Sequence, residues 1–189
     1  ALFGINPTKN KNPMNNVISL HAKILQIKNL KTENNKVVGY NSTYQVNGEL
    51  KIAVLGIGYA DGYPRNLSNI GYASFKNSKL PIVGTISMDY ITLDLSKLRK
   101  KIKVGDWVEL IGKNISIQDV AFLSQTIEYE ILNNLGNRLQ KYYIGKNESI
   151  LHYDLYRNFL TTPIFDPLFQ YQMQVTLDED VNIINYIYM

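Results

Sequence analysis

At 189 residues, with 45% hydrophobic and 19% charged residues, the chain is long enough to bury a core and too apolar to be wholly disordered. Its formal net charge of +4 is scattered, and the longest basic run is Arg99, Lys100, Lys101 and then Lys103. That balance suits solubility and anionic ligands without requiring nucleic acid. The absence of cysteine excludes disulfides and thiolate metal sites and fits a reducing compartment. His21 and His152 have no acidic or histidine companions at metal-ligand spacing, so both read as strand or surface residues. No run approaches the ~18 apolar residues of a membrane span, and no charged-then-apolar signal opens the chain. The expectation is a cytoplasmic protein with no membrane, metal or nucleic-acid partner.

In chain order, Ala1 leads directly into an apolar LFGINP segment, as though the chain began inside a fold, and residues 8–16 form a polar Asn/Pro/Lys linker. Residues 17–30 alternate, with Ile18, Leu20, Ala22 and Ile24 on one side, which predicts a long strand. Asn34-Asn35 marks a turn, and residues 37–46 predict a second strand. Asn47-Gly48 is a strong type I′ hairpin signal, predicted to join that strand to one over 50–57. Further strands are predicted over 73–76, 80–86, 91–95 and 107–111, separated by Asn, Ser, Gly and Lys-rich turns. Many short strands with turns between them predict a mainly β fold: a small antiparallel barrel or sandwich, with one or two short α-helices.

The strand before residue 58 ends in the segment GYADGYPR, residues 58–65. Tyrosine and arginine gathered at a strand end can donate hydrogen bonds to a carboxylate or phosphate. The competing reading is a glycine-proline turn with two half-buried tyrosines, and composition leaves the two open. Ser116-x-x-Asp119 resembles a capping box opening a helix over 118–124. Thr126 can cap a second helix carrying Ile127, Ile131, Leu132 and Leu135 on one face, with Gly136 as a left-handed stop. Tyr129 then falls in the first turn, where unpaired N–H groups favour anions such as phosphate, unless it simply rests on the sheet. Residues 150–189 are rich in Tyr, Asn, Phe and Leu and carry no motif and no assignable secondary structure.

Six segments, LFGINP (2–7), VGYNSTY (38–44), GYADGYPR (58–65), PIVGTISMD (81–89), GDWVELIG (105–112) and TIEYE (126–130), stand in the order and spacing of alanine racemase. From Ala1 to roughly Tyr143 the chain resembles the C-terminal β-domain of that family. The resemblance implies an isomerase that uses pyridoxal phosphate to interconvert L- and D-alanine for peptidoglycan. It implies that Tyr40 is one of two acid/base groups flanking the substrate α-carbon, and that the cofactor-holding lysine is the other. It further implies that the Met88 backbone N–H binds the substrate carboxylate, that Tyr59, Arg65 and Asp89 line the substrate corridor, and that Tyr129 bonds the cofactor phosphate. Residues 1–16 would be the end of the cofactor-binding barrel domain and a linker, 17–144 the β-domain, and 145–189 a tail outside the resemblance. The family is a head-to-tail homodimer, so these residues would serve a partner's cofactor.

The chain departs from the family pattern in three places. Thr85 stands where an arginine is usual, Asn41 replaces the glycine after the tyrosine, and Leu139-Gln140-Lys141 replaces V-P-R. The lysine-bearing segment of the cofactor-binding barrel is not in this sequence. The expectation is therefore a C-terminal portion that supplies Tyr40 but is inactive unless a barrel domain, on the same or a second racemase chain, completes it. The rival readings are a basic, tyrosine-rich module for single-stranded nucleic acid and a decayed gene remnant.

Overall fold

The computed structural model describes residues 5, 16–31, 37–39, 43–46, 48–136, 138–144, 150–151 and 171–176. Its strands are β1 (Ile18–Lys31), β2 (Val37–Val38), β3 (Tyr44–Gln45), β4 (Glu49–Leu55), β5 (Tyr72–Phe75), β6 (Ser78–Pro81), β7 (Ile91–Asp94), β8 (Trp107–Ile111), β9 (Lys141–Ile144), β10 (Ile150–Leu151) and β11 (Tyr171–Thr176). Two short helices, α1 (Ile117–Leu123) and α2 (Glu128–Asn134), lie between β8 and β9.

The hub is β1. In its first half Ile18, Leu20, Ala22 and Ile24 are buried while Ser19, His21 and Lys23 are not, the alternation that a half-buried strand requires. Its pairing to β4 slips between Ile24 and Gln26, and beyond that slip Ile27 packs on the core. One irregular residue reverses which side chains face inward and bends the strand. The bend lets β1 serve two sets of partners: its first half lies between β8 and β11, and its second half pairs with β4.

The pairings close on themselves. β8 bonds β5 through Ser74 and Glu109, β5 pairs with β6, and β4 pairs with β7. A bridge between Ile82 and Leu93, with Val83 N–H donating to Thr92 O at 2.9 Å, joins the end of β6 to β7. The circuit β1-β8-β5-β6-β7-β4 therefore returns to its starting strand, and closure of this kind pairs N–H and C=O groups that a sheet edge would leave open. Leu20, Ile24, Leu55, Leu80, Leu93 and Leu110 fill its interior. β11 takes the remaining stretch of β1 antiparallel, β9 lies parallel to β11, and β10 pairs with β9. The mainly antiparallel β expectation, with two helices, matches this architecture.

Several local expectations do not hold. Residues 37–46 are not one strand: β2 and β3 pair with each other, with Gly39 left-handed at φ 82° between them. Among the described residues β4 pairs with β1 and β7 and not with β3, so Asn47-Gly48 sets no register between 37–46 and 50–57. Asn47 itself lies outside the described residues. The strand expected over 80–86 stops at Pro81; Ile82 makes only an isolated bridge, to Leu93, and Gly84 then turns at φ 79°. Residues 150–151 and 171–176, for which no structure was expected, are strands of the sheet.

The helices follow the same physics with different ends. The Ser116 Oγ accepts the Asp119 N–H at 3.0 Å, the expected cap, and α1 buries Ile117, Val120 and Ala121. The second helix is not capped by Thr126, whose hydroxyl bonds the Glu130 carboxylate; Ile127 occupies the cap position and its side chain is exposed. Nor is Gly136 left-handed: the helix ends at Leu135 in extended backbone, and the Gly136 N–H goes to Asp61 O at 3.0 Å. Among the described residues no helix is long and apolar enough to cross a membrane.

Candidate functional site

GYADGYPR leaves β4 and makes two single 3-10 turns, Tyr59–Asp61 and Arg65–Leu67. The first is closed by Asp61, whose side chain is 0% exposed and whose Oδ2 accepts the Gly58 N–H at 2.8 Å. Gly62 follows in the left-handed conformation, φ 95°, where a Cβ would sit 1.9 Å from Asn134 O at the end of α2. Gly58 is as tightly placed on the other side: a Cβ there would lie 2.3 Å from Ser87 O and 2.4 Å from Met88 O. The segment is thus pressed between α2 and the loop over 84–90. Only residues without a side chain allow backbones to approach this closely.

The 84–90 loop is held from several directions. Gly84 N–H donates to Asn69 Oδ1 at 2.6 Å, and Ile86 N–H donates to Ser68 Oγ at 3.0 Å. Ser87 and Tyr90 exchange hydrogen bonds through backbone and hydroxyl. From the GYADGYPR side, Tyr59 N–H donates to Ser87 O and Ala60 N–H to Met88 O, both at 3.0 Å. The Met88 N–H makes no hydrogen bond among the described residues. Asp89 accepts from Arg138 Nη2 at 2.8 Å, and the Arg138 Nε lies 3.3 Å from Asp61 Oδ1. Burial pushes the Asp61 carboxyl above its ordinary value, while the Gly58 N–H and Arg138 pull it down and Asp89 pushes it up again.

Tyr59 and Arg65 face a common cleft of about 470 Å³, walled also by Asn66, Thr126, Glu130 and Asn134. Met88, Asp89 and Tyr129 lie outside that wall. Tyr59, Met88 and Tyr129 are 46%, 53% and 50% exposed, so all three present their side chains outward. The other tyrosine of GYADGYPR, Tyr63, is not half-buried as the turn reading has it. It is 1% exposed, its hydroxyl has no hydrogen-bond partner among the described residues, and burial pushes its ionisation far up.

Tyr40 lies outside the described residues, but the backbone on both sides of it does not. A Cβ on Gly39 would sit 2.4 Å from Thr85 N, and Thr43 Oγ1 lies 2.9 Å from Thr85 Oγ1. Both ends of the 40–42 segment therefore adjoin Thr85, three residues before Met88. Arg138 and Asp61 are the residues that sequence reasoning missed. A lone carboxylate inside a glycine-rich strand end was the available signal for Asp61; Arg138 had none.

The family model described as "Alanine racemase, C-terminal domain" matches residues 17–143. The chain belongs to that family. The alanine racemase of Brucella canis is 41% identical over 162 residues, covering 78% of this chain and 40% of the relative. That of Rickettsia bellii is 41% identical over 146 residues, covering 76% and 35%. This alanine racemase C-terminal chain thus spans about two fifths of the length of the curated relatives it matches.

Solved structures agree. The alanine racemase of Bartonella henselae with covalently bound pyridoxal phosphate superposes with a TM-score of 0.68 at 41% identity, over 71% of this chain and 37% of that one. The Clostridium difficile enzyme in complex with cycloserine gives 0.70 at 28% identity, over 79% and 40%. Among the described residues no group of three or more His, Asp or Glu could hold a metal ion. Tyr129, expected at the pyridoxal phosphate, is half exposed in the first turn of α2, a position compatible with a hydrogen bond to a phosphate from outside the domain.

Proposed function

We propose that this chain is the C-terminal part of a pyridoxal-phosphate-dependent alanine racemase, and that it supplies one of the two acid/base groups and the substrate's carboxylate contact. The observation that carries the reading is the convergence on Thr85: both ends of the segment bearing Tyr40 adjoin it, and Met88, with an N–H unused among the described residues, lies three residues on. Family membership over 17–143 supplies the reaction class.

Racemisation takes the α-proton from one face of the substrate and returns it on the other, so two acid/base groups must flank the carbon. Pyridoxal phosphate, when bound, takes up the electron pair of the broken bond. Tyr40 holds or accepts the proton on one face. A phenol of pKa ~10 does this only where cations or donors stabilise its phenolate, and those groups belong to the barrel domain. The Met88 N–H donates to the substrate carboxylate and fixes how the α-carbon faces Tyr40. Tyr59, Arg65 and Asp89 line the approach, and the Tyr129 hydroxyl donates to the cofactor phosphate. The cofactor's lysine lies on the barrel domain of the same or a second racemase chain, in a homodimer, so this chain does not racemise alone. The setting is the cytoplasm, and the D-alanine serves peptidoglycan.

The test is complementation. The chain is mixed with an isolated racemase barrel domain, and D-alanine formation and cofactor absorbance are followed. Activity is expected, and Tyr40→Phe should lower it by about 10²- to 10⁴-fold, the range for loss of one positioned acid/base group. A well-folded mixture without activity, or one indifferent to Tyr40→Phe, refutes the proposal.

A further inference from the structure

We propose that Arg138 and Asp61 are positioning residues for substrate carboxylate recognition, fixing the direction of the Met88 N–H through the two loops they tie together. The proposal rests on the reading of Met88 as the carboxylate contact.

The peptide unit joining Ser87 to Met88 is planar and trans, so its C=O and N–H point in opposite directions. Tyr59 N–H holds the Ser87 C=O at 3.0 Å. That one bond therefore aims the Met88 N–H away from GYADGYPR. Ala60 N–H holds the next C=O, that of Met88, at 3.0 Å, and so fixes the following peptide plane as well. Gly58 packs against both carbonyls with no room for a side chain.

What holds Tyr59 and Ala60 in place is Asp61. Its buried carboxylate accepts the Gly58 N–H at 2.8 Å and closes the turn that presents both donors. A carboxylate removed from water needs a counter-charge, and Arg138 Nε supplies it at 3.3 Å. The same guanidinium reaches Asp89, next to Met88, with Nη2 at 2.8 Å. One planar fork thus spans the buried turn and the loop it orients. Lysine, a point charge without the fork, cannot hold both carboxylates in that geometry.

The residues act at a distance from the reacting atoms, so the readout is carboxylate affinity rather than turnover. In the reconstituted racemase, Arg138→Lys should raise KM for alanine about tenfold, the size expected for weakening one hydrogen bond to a carboxylate. The inhibition constant of propionate, a carboxylate without the amine, should rise by the same factor while kcat stays within about twofold. In the ¹⁵N-labelled chain, Arg138→Lys should speed hydrogen exchange at the Tyr59 and Ala60 amides. Asp61→Asn/Arg138→Gln removes both charges without stranding one, and serves if the single variant does not fold; the same changes are expected of it. Wild-type KM, propionate inhibition and amide exchange in these variants, with Tyr40→Phe still impaired, overturn the proposal. A Tyr40→Phe chain as active as wild type overturns the underlying reading, and this proposal with it.

Discussion

Gly62→Ala isolates the contact on which the site's frame depends. Gly62 has φ 95°, and a left-handed backbone costs a residue with a Cβ about 1–2 kcal/mol. The added methyl would also stand 1.9 Å from Asn134 O, 2.5 Å from Asn134 C and 2.8 Å from Leu135 Cα. All three are backbone atoms, so no rotamer relieves the clash. Either α2 or the GYADGYPR turn must move, and overpacking of that kind adds about 1–3 kcal/mol or more. The sum is about 2–5 kcal/mol or more.

Gly105 provides the control. Its φ of 90° is almost the same, yet nothing lies within 4 Å of a Cβ built there. Gly105→Ala should therefore show the backbone cost alone, about 1–2 kcal/mol. For a chain of this size 1 kcal/mol moves Tm by about 2–4 °C. Thermal melts followed by circular dichroism should show Gly105→Ala about 5 °C below wild type and Gly62→Ala about 10 °C or more below. Equal losses in the two variants would show that the approach of the turn to α2 costs nothing, and would refute the packing argument.

The pH dependence of stability is set in part by Asp61. Its folded pKa is raised, chiefly by burial, above an ordinary value of 3.8. Between those two values the folded state binds more protons than the unfolded, so its contribution is complete below about 3.8 and is lost as pH rises through the folded value. The stability of wild type relative to Asp61→Asn should accordingly decline with rising pH in urea titrations, and a relative stability that grows with pH would contradict the assignment. Ser116→Ala removes the oxygen that accepts the Asp119 N–H and should cost about 1 kcal/mol in the same titrations, with Ser116→Gly closer to wild type.

Where local rules act alone, the sequence was readable. The alternation of β1, the whole of Trp107–Ile111 and the Ser116 cap follow from period and turn chemistry and are found as expected. Where a distant group competes for the same atom, it was not. Thr126 has the right chemistry for a cap, but Glu130 takes its hydroxyl. Gly136 has the right chemistry for a left-handed stop, but its N–H is drawn to Asp61 O, 75 positions back in the chain. The apolar run over 80–86 outweighs Gly84 in any periodicity count, although β6 ends at Pro81 and the backbone turns left-handed at that glycine. β11 has Tyr171, Met173 and Val175 in alternation, a signal that was present but isolated among residues without pattern. The site divides the same way: GYADGYPR stands out locally, whereas the ion pair of Arg138 with Asp61 joins residues 77 apart and leaves no periodic trace.

Thr85 shows how a departure from the family pattern can still be structural. By resemblance an arginine is usual there. What the chain has instead is a neutral hydroxyl 2.9 Å from Thr43 Oγ1, tying the 84–90 loop to the segment that follows Tyr40. An arginine at this position carries no hydroxyl, so the two arrangements exclude each other at this atom. The exchange therefore gives up a charge and gains a hydrogen bond between the 84–90 loop and Thr43. A departure from the pattern at this position is therefore a change of loop contact as well as of charge.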